Sequence, residues 1–404
     1  MRFYVACFGC KVNQYQAMVL SQNLTKNLME KVQSWKDADV LIVASCVVTE
    51  KAENEAKSLI RKAKKNNKII YVTGCFSEKM KLFLEESNIF FGSECSIFQQ
   101  ILESEQEGYE VLLTDTGGKS RAFVNIQIGC KQYCSYCIVP YARGKSRSRS
   151  FNDILFEIDV LSKKGIKEIV LTGTQIGLFE NEVKSNDSLL HLMEKIERKF
   201  YNSLYRVRLS SIHPLFVSHK ILDYIASSKL FCNHLHISLQ SGSDKILNLM
   251  RRGYTRQDFK NIVSHAKKKI PQFLVSTDII VGFPGETEED FEQTCLLAED
   301  IQFSKVHVFP FSLRKETMAC HMGEKVELKV IADRKKRLLE LSSLISYNLN
   351  HTFIGKKVEV LIEKDFTGFT RNYRKVVLKK KENRKCHMLD TIIVNDCNSN
   401  LLFE

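Results

Sequence analysis

Cys130, Cys134 and Cys137 stand in a C-x3-C-x2-C spacing within IGCKQYCSYCIVPYARGKSRSR, and four basic residues follow at Arg143, Lys145, Arg147 and Arg149. Structural zinc takes four protein ligands, commonly as two paired knuckles, and no second pair follows nearby. Three thiolates on one loop suit a [4Fe-4S] cluster that leaves one iron without a protein ligand. That iron is free to bind a small molecule. A zinc site borrowing a distant ligand and a simple electron-transfer cluster stand as the alternatives.

A second set of thiols is spread along the first part of the chain. RFYVACFGC, ADVLIVASC and NKIIYVTGC are short apolar runs that end at Cys10, Cys46 and Cys75. Polar-faced helical stretches such as Asn54 to Lys65 separate them, a βαβα pattern that predicts a parallel sheet. Ligands of such sheets gather beyond the carboxyl ends of the strands, where all three cysteines fall. Gly9 and Gly74 precede two of them and permit close backbone approach. The set is therefore read as a metal site, against the alternative of three small buried hydrophobes. Cys7, inside the first run, is expected to be packing, and Cys95, Cys232, Cys295, Cys320, Cys386 and Cys397 lack partners at ligand spacing.

The elements that must position the C-x3-C-x2-C loop recur after it. Strand-like runs fall at Phe123 to Gly129, Glu168 to Gly173, Tyr205 to Ser211, His234 to Gly242, Val275 to Glu286 and Lys305 to Ser312, with helical patterns between them. One such helix, from Phe151 to Gly165, has Ser150 and Asp153 placed as a capping box. Six β/α units in a row predict a barrel or partial barrel with its site at the carboxyl ends of the strands. Tyr136, Gly173, Thr174, Gln175, Ser211, Gln240, Asp278 and Gly282 lie on or beside those ends and have the residue types to bind an amino acid and a ribose. His213 and His236 read as structural.

The 404 residues carry 60 Lys and Arg against 47 Asp and Glu, a formal charge of +13, which biases encounter toward polyanions. No run approaches the length of a bilayer span. No leader-like segment opens the chain, so a cytoplasmic location is expected, in which 13 cysteines are metal ligands or packing rather than disulfides. After Asn350 the pattern becomes β-rich and basic. Arg371, Tyr373, Arg374, Lys379, Lys380 and Lys381 are read as an RNA-binding face of a small OB-like β-barrel.

Taken together, these parts resemble the radical S-adenosylmethionine (SAM) methylthiotransferases along essentially the whole chain. The blocks that carry the likeness are GCKVNQ, SCVVT, TGC, the C-x3-C-x2-C loop with Tyr136, SLQSGSDKIL and DIIVGFPGET, and the tail looks like a TRAM domain. The resemblance implies an N-terminal methylthiotransferase domain at 1–112, a radical SAM core at 113–346 and an RNA-binding TRAM domain at 347–404. It implies two [4Fe-4S] clusters, on Cys130, Cys134 and Cys137 and on Cys10, Cys46 and Cys75. The first would reduce SAM to give a 5′-deoxyadenosyl radical that removes hydrogen from an adenine C2. The second would hold the sulfur delivered as a methylthio group. GCKVN and CVVT resemble the branch acting on N6-threonylcarbamoyladenosine at position 37 of the tRNA anticodon stem-loop. The isopentenyladenosine branch, the ribosomal-protein S12 branch and a non-catalytic iron-sulfur or zinc RNA-binding protein are the alternatives. An electron donor such as flavodoxin or ferredoxin, and a sulfur donor, are the further partners implied.

Overall fold

The computed structural model describes residues 1–76, 88–102, 112–114, 116, 120–180, 188–363, 366–379 and 387–404. The N-terminal part is a parallel sheet in the order β2-β1-β3-β4-β5, formed by β1 (Arg2–Cys7), β2 (Glu30–Lys31), β3 (Val40–Ser45), β4 (Ile69–Gly74) and β5 (Ile89–Phe91). Helices α1 (Lys11–Lys26) and α3 (Glu94–Leu102) cover one face through Leu20, Leu24, Ile97 and Phe98. Helix α2 (Glu50–Lys64) covers the other through Ala56, Ile60 and Ala63. Every residue of β3 is buried, as a strand packed on both faces must be. Register pairs Cys7 with Ala44 and Ala44 with Thr73, which aligns the three strand ends in one row.

The central part is an open barrel of parallel strands. β6 (Arg121–Ile128), β8 (Glu168–Gly173) and β9 (Arg206–Leu209) pair in sequence, and the two-residue β7 (Arg147–Ser148) adds antiparallel to β6. β10 (His234–His236), β11 (Leu274–Val281) and β12 (Lys305–Pro310) continue the sheet, joined through parallel bridges from Val207 to Phe231 and from Ile212 to Ile237. The six-unit pattern read from the sequence is thus a partial barrel. Helix α4 (Val139–Arg143) follows the C-x3-C-x2-C loop, and α5 (Phe151–Lys163) opens with Ser150 accepting from the Asp153 N–H. The remaining barrel helices are α6 (Ser188–Phe200), α7 (His219–Ser227), α8 (Asp244–Leu249), α9 (Arg256–Lys269) and α10 (Glu288–Ile301). One apolar core runs beneath the helices that cover the sheet, from Ile154 and Ile158 through Leu192 and Phe259 to Phe291.

Helix α11 (Leu328–His351) packs along β12 and leads into a curled six-stranded sheet with its own core of Val360, Val376, Ile392 and Leu402. This module docks where the barrel strands begin. Ser120 Oγ donates to the Ile362 carbonyl at 2.7 Å, and Arg121 Nε donates to Glu363 at 2.6 Å. Beneath them Glu168 is fully buried against Arg206 (2.5 Å) and Arg208 (3.2 Å); Arg206 NH2 also donates to the Phe369 carbonyl, and Arg208 NH1 and NH2 to those of Arg371 and Thr370. Burial opposes ionisation of Glu168, but Arg208, Arg206 and Arg121 overcome it and hold the carboxyl at about 2. Among the described residues, no helix is long and apolar enough to cross a membrane.

Candidate functional site

Cys10, Cys46 and Cys75 leave three neighbouring strands at one edge, as the strand pattern predicts. Cys10 caps α1, Cys46 follows β3 and Cys75 follows β4. Asn13 locks two of the three loops together, since its Nδ2 donates to the Phe8 carbonyl at 2.8 Å and the Ser45 carbonyl at 2.7 Å. The Cys75 N–H in turn donates to the Ser45 carbonyl at 3.0 Å. Cys46 and Cys75 both lie close enough to Cys10 to feel charge on it. Burial comes first and pushes Cys75 up to about 11, with Cys10 and Cys46 adding to the rise; Cys46 is raised for the same reasons. The glycines serve a purpose other than the one expected. A Cβ on Gly9 (φ +91°) would lie 2.6 Å from the Cys46 Sγ, and one on Gly74 (φ +86°) would lie 2.7 Å from the Ser45 carbonyl. What they admit at close range is the neighbouring cysteine loop.

Cys130, Cys134 and Cys137 gather on their loop, and burial pushes Cys137 up to about 12, with Cys134 and Cys130 contributing. The loop is held from several strand ends. Gly129 donates its N–H to Thr174 Oγ1 at 3.2 Å, and Gln127 Nε2 donates to the Gly129 carbonyl at 2.6 Å. Ser135 Oγ donates to the Leu249 carbonyl at 2.7 Å. Arg252, 4% exposed, donates to Cys134 Sγ and Tyr136 Oη at 3.3 Å each and to the Ser238 carbonyl at 2.8 Å.

Each triad therefore has, among the described residues, one arginine aimed at a cysteine sulfur. At the N-terminal set it is Arg143, whose Nε donates to Cys75 Sγ at 2.8 Å while its other nitrogens hold Asn13 and Gln16. Arg143 belongs to α4, so the barrel's own cysteine helix reaches across to the other triad. In the sequence Arg143 is only the first of the four basic residues after the cysteine loop, and neither it nor Asn13 nor Arg252 stands out as a site residue. Nothing in their spacing marks them, because their partners lie far along the chain, and for Arg143 in another module. Among the described residues, no three His, Cys, Asp or Glu side chains close around a single metal ion. Three thiols with N–H donors aimed at sulfur fit a larger thiolate-bound body, as a four-iron cluster is.

The remaining expected binding residues divide. Ser211 and Asp278 line an open cavity of about 870 Å³ between the barrel and the C-terminal module. Asp278 pairs with His236 at 3.0 Å and accepts from Ser238 at 3.3 Å; against its burial, His236 and His307 hold the carboxyl below its ordinary range. His236 thus lines the cavity beside a carboxylate. His213, expected to be structural, caps a short turn, and burial lowers it to about 2, so it stays neutral. Gln240 has φ +75° and bridges strands, its N–H donating to the Asp278 carbonyl at 2.8 Å. Gln175 accepts from the backbone N–H groups of Gly177 and His213. Thr174 and Gln175 therefore buttress loops. Gly173 and Gly282 lack side chains for packing reasons: a Cβ would sit 2.8 Å from the Gln127 carbonyl in one case and 2.3 Å from Ile331 in the other.

The basic tail departs most from expectation. Arg374 is buried, with NH1 donating to the Ser304 carbonyl at 2.7 Å and NH2 to Ser346 Oγ at 2.8 Å. Arg371 donates to the carbonyls of Lys229 and Phe231. Tyr373 stacks on Phe369 with centroids 5.0 Å apart, and the Arg208 guanidinium lies 4.4 Å over its ring. These side chains face the barrel, so the expected outward face formed by Arg371, Tyr373 and Arg374 is corrected. They lie in the turn between the strands Thr367–Thr370 and Lys375–Val377, which is turned toward a docking surface that the local sequence does not reveal. Lys379 is exposed, and Lys380 and Lys381 lie outside the described residues. Cys7 is exposed rather than packed.

Two family models match separate parts of the chain. Residues 124–298 match the Radical SAM superfamily, and residues 2–92 match the "Uncharacterized protein family UPF0004". A threonylcarbamoyladenosine tRNA methylthiotransferase, MtaB, of Chlamydia pneumoniae is 36% identical over 90% of this chain and 87% of its own length. A tRNA-2-methylthio-N(6)-dimethylallyladenosine synthase of Acetivibrio thermocellus is 34% identical over 91% and 83%. Among solved structures, the radical S-adenosylmethionine methyltransferase TsrM of Kitasatospora setae shares the fold at a TM-score of 0.58 and 13% identity, covering 79% of this chain and 77% of that one.

Proposed function

Because the chain belongs to the radical SAM methylthiotransferase family, we propose that it adds a methylthio group to C2 of N6-threonylcarbamoyladenosine at position 37 of tRNA, next to the anticodon. One observation carries the choice of substrate. The cavity wall is polar and cationic, with Lys11, Arg208, His234, Ser276 and Arg374 among its residues. A threonylcarbamoyl group brings a carboxylate, a hydroxyl and a urea to such a wall. A dimethylallyl group would desolvate it and return no hydrogen bonds. The dimethylallyladenosine reading keeps the support of relatives such as the Acetivibrio thermocellus synthase.

In this reading Cys130, Cys134 and Cys137 hold the [4Fe-4S] cluster that binds SAM, and Cys10, Cys46 and Cys75 hold a second. The bound clusters and SAM supply the reducing electron, the radical and the transferable sulfur. The chain's own part is placement. Arg252 and Arg143 direct N–H groups at ligand sulfurs, which stabilises thiolate against the burial that otherwise favours thiol. Asp278 and Ser211 offer polar groups on the cavity wall toward SAM or the nucleoside. An anticodon-loop adenine is single-stranded or readily splayed, so presenting it costs little. Exposed Lys375 and Lys379 on the C-terminal module then serve the RNA backbone. An electron donor of the flavodoxin or ferredoxin class and a sulfur donor complete the reaction.

The test is nucleoside mass spectrometry of tRNA from cells lacking the gene. Loss of the methylthio mark on threonylcarbamoyladenosine supports the reading. Loss from isopentenyladenosine, or from ribosomal protein S12 instead, overturns it.

A further inference from the structure

Lys11 follows Cys10 directly and opens α1, yet its side chain lines the cavity between the barrel and the C-terminal module. It is half-buried, and no carboxylate among the described residues pairs with it. The groups that act on it electrostatically are the Tyr373 phenol, two cations, Arg208 and Arg121, and the Glu168 carboxylate. Glu168 is already held at 2.5 Å by Arg206 and at 3.2 Å by Arg208. The cavity's own carboxylate, Asp278, is held by His236 at 3.0 Å. Arg374, on the same wall, makes its hydrogen bonds to neutral acceptors, the Ser304 carbonyl and the Ser346 hydroxyl.

The cavity thus contains more positive charge than its own acids neutralise. A half-buried cation without a counterion carries a desolvation cost that an incoming anion offsets. Asp278, Arg208 and Arg374 have partners in the protein, and Lys305 and Lys375, which also line the cavity, are exposed to water. Lys11 is left for a ligand.

We propose that Lys11, backed by Arg208 and the Tyr373 hydroxyl, forms a carboxylate subsite that takes the threonyl carboxylate of the substrate and so sets which N6-substituent is accepted. The subsite rests on the substrate reading above and deepens it. Its position gives it a second role. Lys11 is covalently next to Cys10, so an N6-substituent anchored there lies beside the N-terminal triad, and the adenine that carries it is held toward that centre.

The experiment uses the full-length protein and anticodon stem-loops carrying N6-threonylcarbamoyladenosine as the free acid or as its methyl ester, with affinity read by fluorescence anisotropy. The wild-type protein is expected to prefer the acid by about tenfold or more, the size of a charge-assisted contact. Lys11→Gln should abolish that preference by weakening the acid alone, and Lys11→Arg should retain it. Iron content checks that the variant keeps its fold around Cys10. Should Lys11→Gln fail that check, the wild-type comparison decides by itself: equal affinity for acid and ester overturns the subsite. An acid preference that persists in Lys11→Gln also overturns it. A wild-type protein that methylthiolates an isopentenyladenosine stem-loop and ignores both threonylcarbamoyl stem-loops overturns the substrate reading instead.

Discussion

Cys130, Cys134 and Cys137 lie on one short loop, whereas Cys10, Cys46 and Cys75 come from three strands far apart in the chain. The loop triad is gathered by local backbone and fixed by contacts to it from Thr174 at a strand end and from Arg252 just after α8. The strand-end triad exists only while parallel register holds three loops in one row. Each is completed by an arginine from outside its own segment. For the strand-end triad that arginine, Arg143, belongs to the helix that follows the loop triad. One site is self-contained, and the other depends in part on its neighbour.

The largest expected effect separates the two triads. Protein reconstituted without oxygen should hold about eight irons if each triad carries a [4Fe-4S] cluster. Cys134→Ala should remove roughly half of them and abolish reductive cleavage of SAM. Cys46→Ala should remove a similar share, leave SAM cleavage intact and block methylthiolation. Unchanged iron and unchanged product in Cys46→Ala would dissolve the comparison, leaving one site instead of two.

Glu168 touches neither triad and should affect both equally. Glu168→Gln strips the counter-charge from buried Arg206 and Arg208, a loss of about 3–5 kcal/mol. The pH dependence follows from the direction of its shift. The folded carboxyl lies at about 2 against an ordinary 4.5, so its contribution is complete above pH 4.5 and disappears as pH falls from there toward 2. Urea unfolding at pH 7 and pH 3 should show the wild-type advantage over Glu168→Gln shrinking in acid. A constant difference would place the ion pair outside the stability of the fold.

Substituting the arginines sharpens the asymmetry between the sites. Arg252→Met removes a donor to Cys134 and should perturb the electron paramagnetic resonance signal of the SAM-binding cluster alone. Arg143→Met removes a donor to Cys75 and releases Asn13. It should lower the potential of the cluster proposed for the strand-end triad, because a hydrogen bond to sulfur stabilises the more negative reduced state. If Arg143→Met altered both signals equally, the dependence would run in both directions.

The smallest effect is expected at Thr174→Val. It leaves the Gly129 N–H without its acceptor beside Cys130, a loss of about 1 kcal/mol. Thermal unfolding should report it, with iron at the strand-end triad unchanged.

Much of this molecule was legible in the order of its residues. The β/α alternation gave the parallel sheet and the six barrel units, because a strand buried on both faces must be continuously apolar, as β3 is. The cysteines were legible because ligand spacing on a loop, and a cysteine at each strand end, survive as patterns in one dimension. The partners of those cysteines were not. Arg143 reads as part of a basic arm and Lys11 as an ordinary helix residue until a second module is packed against each.

The tail shows the same limit from the other side. Composition alone made Arg371, Tyr373 and Arg374 a cationic surface, and the local β pattern agreed. Docking against β9 and β12 turned all three inward, where Arg374 bonds to Ser304 and Tyr373 lies beneath Arg208. The physical reason is general. The sequence by itself determined what is periodic or closely spaced: the strands, the helices, the loop triad and the charge balance. Which charges are neutralised, which remain for a ligand and which glycine makes room for which neighbour depend on contacts between distant segments. Only the tertiary structure decides them, because Coulomb energy and van der Waals exclusion act over a few ångströms of space rather than along the chain.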